Sequence, residues 1–319
     1  MTAIKGVSQT IDLEAIVKKA HSCCGGSSGG GSIALGERPG WMRAKAIDFK
    51  VFDTMRHTLG SLHTVCESAR CPNMGECWKR GTATFMIMGD ICTRSCRFCA
   101  IKTGRPEPLD PEEPRKLAEA AKQMGLKHVV VTSVARDELA DGGAEHFAKC
   151  ITAIYQALPD ASVEVLTPDF KARWESVETV LAAGPWVFNH NVETVERLTK
   201  QVRVQARYDR SLDVLRMAFE INPRIPTKSG LMLGLGEEPE EVIECLQDMR
   251  RVGVSILTLG QYLRPTEQHL PIARWITPEE FAWYREQAFQ MGFVHVESGP
   301  LVRSSYHAEE AVGEPLRVS

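Results

Sequence analysis

Residues 84–101 of the chain read TFMIMGDICTRSCRFCAI, and this stretch decides which kind of fold the sequence predicts. Its first part, Thr84–Gly89, is an apolar, β-rich run that ends in glycine, which is typical of a buried strand. Its second part places three cysteines in the following loop, and a helical pattern over Pro111–Met124 comes next. The stretch is therefore predicted to be the first strand–helix unit of an α/β protein.

The same alternation continues along the chain. Five further strand–helix pairs follow: His128–Val134 with Ala144–Leu158, Ser162–Thr167 with Trp174–Ala183, Trp186–His190 with Ser211–Ile221, Gly230–Leu235 with Pro239–Val252, and Ser255–Leu263 with Pro278–Met291. Six consecutive units predict a parallel sheet with helices outside it. Because six units are too few for an eight-stranded barrel, we expect an open, partial (β/α)6 barrel of the TIM type, with its chemistry at the carboxyl ends of the strands. A last strand-like run, Phe293–Val296, leads into the C-terminal tail.

The three cysteines of the first loop, Cys92, Cys96 and Cys99, have the spacing CxxxCxxC. Three thiolates from one loop can hold an iron–sulfur cluster, and because a cubane cluster needs four ligands, one iron stays open. Zinc is the alternative, but it requires a fourth cysteine or histidine nearby, and the next histidine, His128, is distant. The loop is therefore predicted to bind a cluster with an open coordination position, where a substrate can react.

A second group of cysteines, Cys66, Cys71 and Cys77, lies upstream with the spacing CxxxxCxxxxxC. This spacing alone fits a zinc knot, an electron-transfer cluster or half-buried cysteines without a metal. A cluster that only relays electrons is ordinarily closed by four cysteines. Since no unassigned cysteine is an obvious fourth ligand, we expect an exogenous group or an oxygen side chain to complete this site.

The bulk composition excludes several classes of protein. The 319 residues are 43% hydrophobic with a net charge of −3, which predicts one large or two modest domains and no basic field for nucleic acid or an acidic membrane. No apolar run approaches the ~20 residues that span a bilayer, and Met1–Lys19 lacks a signal-peptide pattern. We therefore expect a cytoplasmic protein with free thiols, the alternative being the interior of an organelle that is reached through a transit segment. Cys150 and Cys245, in apolar helical patterns, are predicted to be core residues.

The CxxxCxxC loop, with Phe98 before its last cysteine, resembles the signature of the radical S-adenosylmethionine (radical SAM) superfamily. The resemblance implies that the amine and carboxylate of the methionine part of S-adenosylmethionine chelate the open iron. It also implies that reduction of the cluster cleaves the sulfonium and releases a 5′-deoxyadenosyl radical.

Longer motifs narrow the resemblance to one family. VCESARCPNMGECW, GTATFMIMGDICTRSCRFCAI and the terminal RSSYHA, together with LTPDF, FNHNVETV and GQYLRPTEQHLP, resemble the lipoyl synthase family from about Phe52 to His307. The sequence departs from the family pattern at Ala135 and Glu138, where aspartates are expected. Both departures lie beside the predicted site and affect no predicted cluster ligand.

The resemblance implies two [4Fe-4S] clusters and a reaction. Cys92, Cys96 and Cys99 would hold the radical-generating cluster, and Cys66, Cys71, Cys77 and Ser304 an auxiliary cluster that is consumed as the sulfur source. The implied reaction inserts two sulfur atoms at C6 and C8 of a protein-bound octanoyl-lysine, giving lipoyl-lysine. Without the family, residues 303–306 (RSSY) would be interpreted as a capped C-terminal turn.

Polar residues at the predicted strand ends are candidates for binding S-adenosylmethionine. Thr132 and Ser133 end the second strand, Asn189 and Asn191 the fourth, and Gln261 and Tyr262 the sixth. We expect these six side chains to contact the nucleotide, because ligands lie at the carboxyl ends of parallel strands. The alternative is that they only close turns.

The family also implies partners and a division of the chain. The predicted segments are an N-terminal extension (1–47, partly flexible at its Gly/Ser stretch), an auxiliary cluster segment (48–82), the partial barrel (83–297) and a C-terminal tail (298–319) that closes over the site. The implied partners are octanoylated carrier domains (the 2-oxoacid dehydrogenase E2 and the glycine cleavage H protein), a flavodoxin or ferredoxin as electron donor, and an iron–sulfur carrier for cluster repair.

Three other functions compete with this one. A biotin-synthase-like enzyme would also insert sulfur, but the terminal RSSY and the upstream CxxxxCxxxxxC argue against it. A ferredoxin-like electron carrier would not need six strand–helix units or two open cysteine sites. A zinc-binding interaction module would be colourless, whereas an iron–sulfur protein is brown.

Overall fold

The β-rich runs of the sequence form one eight-stranded sheet in the computed structural model, which describes residues 38–42, 62–65 and 71–311. The strands in chain order are β1 His63–Thr64, β2 Thr82–Ile87, β3 Ile91–Cys92, β4 Lys102–Thr103, β5 His128–Ser133, β6 Ser162–Leu166, β7 Val187–Asn189, β8 Thr227–Leu233, β9 Ile256–Gln261 and β10 His295–Gly299. The large sheet has the order β1-β2-β5-β6-β7-β8-β9-β10, and all of its pairings are parallel except β1 with β2. Its edge strands, β1 and β10, do not pair with each other, so the predicted open, partial barrel is confirmed.

Helices connect the strands of the large sheet. They are α1 Met74–Lys79, α2 Glu113–Gln123, α3 Ala144–Ala157, α4 Trp174–Ala182, α5 Glu196–Val202, α6 Tyr208–Ile221, α7 Pro239–Arg251 and α8 Pro278–Gln290. Sequence signals set several of these boundaries: α7 and α8 each begin with proline and a reciprocal capping box, Glu238 with Glu241 and Thr277 with Glu280. The six predicted helices are confirmed, with α6 beginning three residues earlier than expected.

Some elements were not predicted from the sequence. The short helices α1 and α5 and the small parallel pair of β3 with β4 are too short to show a periodic pattern. Strand β8 begins at Thr227 rather than Gly230, because its first residues are polar yet buried. The last strand was predicted at Phe293–Val296, but β10 spans His295–Gly299. It pairs with β9 and is the seventh parallel strand of the large sheet.

The two faces of the barrel sheet differ in character. On the outer face, valines of β5 and β6 pack with helix residues such as Leu117, Phe147 and Ile151 in one apolar core cluster. On the inner face, buried Lys228 lies 3.0 Å from both carboxylate oxygens of buried Glu164. A typical TIM barrel fills its interior with branched apolar residues, so this polar lumen explains why the start of β8 does not look like a strand in the sequence.

Parts of the chain that were interpreted from sequence lie outside the described residues. They include Met1–Lys19, the Gly/Ser stretch Cys23–Ser32, Cys66 and the last eight residues, 312–319. Within the part of the chain that the structure describes, no helix has both the length and the apolar character needed to cross a membrane.

Candidate functional site

The loop after β2 brings Cys92, Cys96 and Cys99 to the carboxyl end of the barrel. All three thiols are free and half-buried. Burial is the main reason why the pKa of Cys96 is raised to about 12 and that of Cys99 to about 11, and the charge of the neighbouring cysteines contributes to both values in the same direction. A group of mutually repelling, partly desolvated thiolates is stabilised by a bound cation, which displaces their protons. The donor set therefore fits an iron–sulfur cluster.

Loops at the ends of three other strands hold the cysteine loop by hydrogen bonds. The contacts are Thr93 N to Ala135 O (3.1 Å), Ser95 N to Gln205 Oε1 (3.1 Å), Arg97 N to Val202 O (2.9 Å), Leu270 N to Arg97 O (3.2 Å) and His269 Nε2 to Cys99 O (2.9 Å). Two backbone amides also donate to the Cys92 sulfur, from Arg94 at 3.4 Å and Ala135 at 3.3 Å. Amide donors at the sulfur atoms tune the potential of a bound cluster.

Arg94, between the first two cysteines, is held by two carboxylates. It forms bidentate contacts with Asp137 (2.7 and 2.7 Å) and with Asp169 (2.9 and 2.6 Å), and only 7% of its surface is exposed. Burial alone would raise the pKa of Asp169, but Arg94 outweighs it and holds that pKa well below its ordinary value. The Arg94 hydrogen bond likewise lowers the pKa of Asp137. This cluster of three residues, the Arg94 clamp, ties the cysteine loop to the ends of β5 and β6.

A strained turn positions one side of the Arg94 clamp. Phe170, Lys171 and Ala172 all have positive φ (43°, 54° and 54°), which costs side chains other than glycine about 1–2 kcal/mol each. Asp169 stabilises the turn because its Oδ1 accepts a hydrogen bond from Lys171 N at 3.0 Å. Lys171 Nζ in turn donates to Asp137 O at 2.9 Å. The strain is therefore maintained by the same aspartate that binds Arg94.

Replacing Asp169 by alanine is expected to leave Arg94 partly unpaired and to release this turn. Removing one partner of a buried ion pair typically costs about 3–5 kcal/mol, so we expect a lower melting temperature and faster loss of iron to a chelator. The matched control is Glu119→Ala, which breaks the exposed Arg115–Glu119 pair (2.7 Å) and should change neither quantity. Equal melting temperatures for the two variants would contradict a structural role for the Arg94 clamp.

Four of the six residues predicted to bind S-adenosylmethionine lie at the ends of β5 and β7. Thr132 Oγ1 donates to Leu166 O at 2.8 Å, and Asn189 Nδ2 donates to Glu164 Oε1 at 3.0 Å. In contrast, Ser133 Oγ, Asn189 Oδ1 and Asn191 Oδ1 have no hydrogen-bond partner among the described residues. Since buried polar atoms are rarely left unpaired, these three atoms fit a polar ligand beside the cysteine loop.

Glu193 belongs to the same group, although the sequence did not single it out. It has a positive φ of 72°, and its charge raises the pKa values of both Cys96 and Cys99. Burial raises the pKa of Glu193 itself, against the effects of Arg203 and the Asn191 amide. The carboxylate therefore lies close enough to the thiols to affect their pKa values. The motif FNHNVETV contains Glu193, but the left-handed backbone conformation of this residue is not visible in the sequence.

The remaining two candidates, Gln261 and Tyr262, use their polar atoms on the protein itself. Gln261 Nε2 lies 3.1 Å from Leu233 O and 3.2 Å from Arg274 O, and its Oε1 accepts from Ile276 N at 2.8 Å. Tyr262 donates its hydroxyl to Leu270 O at 2.8 Å. That they contact the nucleotide stays a prediction. Both side chains form hydrogen bonds with the 270–276 loop.

The second cysteine group lies against the C-terminal tail. Cys71 precedes α1, and Cys77 lies within it. Burial raises the pKa of Cys71, and the opposing charge of Arg303 lowers it. Burial raises the pKa of Tyr306 to about 12, with further contributions from Glu76 and Cys77. Arg303 and Tyr306 thus lie close to the two described cysteines, and half-buried Ser304 lies between them in the chain.

Further contacts attach the tail to this region. Asn73 Nδ2 donates to Leu301 O at 2.7 Å, and Thr82 Oγ1 donates to Glu309 Oε2 at 2.9 Å. Arg80 pairs with both Glu309 and Glu310. The described tail therefore runs from the end of β10 past α1 to the start of β2.

The two remaining described cysteines have a different environment. Cys150 and Cys245 are 0% and 1% exposed within the two apolar clusters of the core, as predicted. Burial raises the pKa of Cys245 to about 12. Neither residue lies among the candidate ligands.

Comparison with known proteins gives concordant results. Residues 86–249 match the family model described as the radical SAM superfamily. The chain is 58% identical to a lipoyl synthase of Rubrobacter xylanophilus, over 88% of both chains, and 50% identical to one of Neisseria meningitidis, over 89% of this chain and 87% of that one.

Solved structures share the fold at low sequence identity. Methylornithine synthase matches with a TM-score of 0.51 at 15% identity, covering 77% of this chain and 81% of that one. SuiB of Streptococcus suis, bound to its precursor peptide SuiA, matches with a TM-score of 0.53 at 12% identity, covering 73% of this chain and 52% of that one.

Proposed function

The chain belongs to the lipoyl synthase family of the radical SAM superfamily, and on that premise we propose how its residues divide the work. The reaction inserts two sulfur atoms at C6 and C8 of a protein-bound octanoyl-lysine and gives lipoyl-lysine. The C–H bonds at these carbons are not acidic, so a general base cannot activate them. Two [4Fe-4S] clusters and S-adenosylmethionine, when bound, supply the hydrogen-abstracting radical and the sulfur, and the protein binds, orients and shields them.

Cys92, Cys96 and Cys99 are the proposed ligands of the radical-generating cluster. The mutual charge effects among their thiols and the hydrogen bonds that hold their loop support this assignment. Three ligands from one loop would leave one iron of a bound cluster without a protein ligand, and a substrate could bind there.

Ser133, Asn191 and Glu193 are the proposed direct contacts of S-adenosylmethionine. The unpaired Ser133 Oγ and Asn191 Oδ1 can each take part in a hydrogen bond with the ligand. The Glu193 carboxylate, beside the thiols, can accept hydrogen bonds from an amine or a ribose hydroxyl. Thr132, Asn189, Gln261 and Tyr262 would line the same strand ends and shape the site.

Cys66, Cys71, Cys77 and Ser304 are the proposed ligands of the auxiliary cluster. The observation that supports this assignment is the hydrogen bond from the Tyr306 hydroxyl to Glu76 Oε1 (3.5 Å), next to Cys77 in the chain, and the charge effect of Arg303 on the pKa of Cys71 agrees with it. It brings the RSSY segment, distant in sequence, to the second cysteine group. A serine oxygen is a harder ligand for iron than a thiolate, so Ser304 would be the ligand released when the cluster gives up sulfur.

The substrates are octanoylated lipoyl carrier proteins. The carriers we propose are the 2-oxoacid dehydrogenase E2 and the glycine cleavage H protein, with a flavodoxin or ferredoxin as electron donor and an iron–sulfur carrier for repair. We also propose a cytoplasmic location and the division of the chain into segments 1–47, 48–82, 83–297 and 298–319.

Turnover of a small substrate tests this function directly. The reconstituted protein, incubated without oxygen with an octanoyl-lysyl peptide, S-adenosylmethionine and dithionite, should release 5′-deoxyadenosine and give a peptide that has gained two sulfur atoms. Mass spectrometry checks the product, and the same peptide with an unacylated lysine is the control. Release of deoxyadenosine without any sulfur-containing peptide would contradict the proposed substrate.

A further inference from the structure

The carboxyl end of β9 contacts the surroundings of both cysteine groups through three consecutive residues, Gly260 and Gln261 of the strand and Tyr262 directly after it. Gly260 lies inside the sheet, in register with Gly299 of β10. Gln261 and Tyr262 follow it and reach the loop that holds the radical-generating cysteines. A glycine in the middle of a sheet is normally unfavourable, and it often marks a place where another backbone approaches closely.

Gly260 makes room for the backbone of the tail. A Cβ atom at this position would lie 2.2 Å from Val302 O and 3.1 Å from Val302 C. Both partners are backbone atoms, so no side-chain rotation could relieve the clash. The reason for glycine is therefore the close approach of residue 302, two positions before Ser304 in the chain.

Further contacts fix the tail at this point. Val302 N donates to Gly299 O at 3.1 Å, which closes a turn at the end of β10. The half-buried guanidinium of Arg303 donates to Val302 O at 2.6 Å and lies 3.4 Å from Gln261 O. The tail therefore rests on β9 through main-chain atoms immediately before the proposed serine ligand.

Gln261 and Tyr262 hold the loop that contacts the radical-generating cysteine group. Gln261 binds the backbone at Leu233, Arg274 and Ile276. Tyr262 binds Leu270 O. The loop they hold donates from Leu270 N to Arg97 O and places His269 beside Cys99 O. The end of β9 and Tyr262 thus connect the part of the tail that contacts Gly260 with the loop that contacts Cys99.

We propose that residues 260–262, the last two residues of β9 and the residue that follows them, set the position of Ser304 relative to the radical-generating cysteines, with Gly260 as the positioning residue; these three residues are called the β9 bracket. This inference rests on the proposed function, because it concerns the distance between its two clusters. The octanoyl chain must meet both the hydrogen-abstracting site and the sulfur source, first at one carbon and then at another. A misplacement of about 1 Å can reduce the rate of such a reaction about 100-fold.

Gly260→Ala tests the bracket, because the added methyl group must displace the tail backbone. We expect sulfur-containing product to fall about 100-fold, while S-adenosylmethionine cleavage stays within about twofold of the parent because the cysteine loop is held by separate contacts. Hydrogen exchange of residues 300–311, measured by mass spectrometry on the protein without substrate, should become faster.

Gly299→Ala is the matched control. It makes the same substitution at the residue of β10 that pairs with Gly260. A Cβ atom at Gly299 would lie 3.4 Å from Val302 Cγ2, which is an ordinary van der Waals contact. We expect product formation and tail exchange close to those of the parent.

The outcomes distinguish a positioning role of Gly260 from a general structural one. The proposal would be overturned if Gly260→Ala formed as much product as the parent and its tail exchanged at the parental rate. It would also be overturned if S-adenosylmethionine cleavage and sulfur transfer fell equally, because Gly260 would then stabilise the fold as a whole rather than position the tail. Absence of sulfur-containing product from the parent itself would refute the proposed function. Faster tail exchange in Gly260→Ala but not in Gly299→Ala would still show in that case that Gly260 seats the tail.

Discussion

Replacing Cys96 by alanine is expected to abolish formation of 5′-deoxyadenosine and, with it, all lipoyl product. The loop after β2 offers three thiols for one cluster, and Cys96 is the middle ligand of the spacing. With two thiolates remaining, the cluster lacks the third protein ligand that a site open at one iron requires. Chromatographic quantification of deoxyadenosine from anaerobic reactions measures the effect.

Cys150→Ala is the matched control for this substitution. It also removes a thiol, but one that is 0% exposed in the apolar core and distant from the proposed ligands in sequence. We expect it to keep deoxyadenosine formation near the parental level. Substantial deoxyadenosine from Cys96→Ala would exclude this loop as the radical-generating site.

Replacing Cys71 by alanine is expected to separate the two halves of the reaction. The Cys92 loop is held by the ends of β5, β7 and β9 and by the Arg94 clamp, and none of these contacts involves Cys71. Deoxyadenosine should therefore still form. Sulfur transfer should fall below detection, because the auxiliary cluster would lose a ligand and with it the sulfur source.

Mass spectrometry of the octanoyl-lysyl peptide and chromatography of the nucleoside, measured on the same reaction, check the Cys71→Ala prediction. Cys245→Ala, which removes a buried core thiol, is the control and should retain both products. A thiolated peptide from Cys71→Ala would show that the sulfur does not come from this cysteine group.

Periodic patterns in the sequence were sufficient to predict the barrel. They failed where polar residues are buried, because such residues look like an exposed loop. Strands such as β5 and β6 are apolar on the helix-packed face and were predicted within about a residue. The start of β8 was missed because Lys228 and its neighbours look like a loop, although the Glu164 pair buries the lysine. Helix α1 was missed because its six residues are too few to show a period.

The candidate site was predictable where chemistry depends on residue type and spacing. The CxxxCxxC motif indicated the first cluster, and family motifs indicated Ser304. The rest depends on conformation: Glu193, whose charge affects the thiols, has a positive φ, and Asp169, which binds Arg94, is followed by a left-handed turn. The contact of the tail with Gly260 depends on tertiary packing between distant segments, which no local pattern encodes.

Iron and sulfide content tests most directly whether the chain holds two clusters. Anaerobically reconstituted protein should contain about eight irons and about eight sulfides per chain, and Cys71→Ala about four of each. Mössbauer spectra of the parent should show only [4Fe-4S] clusters. About four irons in the parent, or bound zinc in place of iron, would contradict the account.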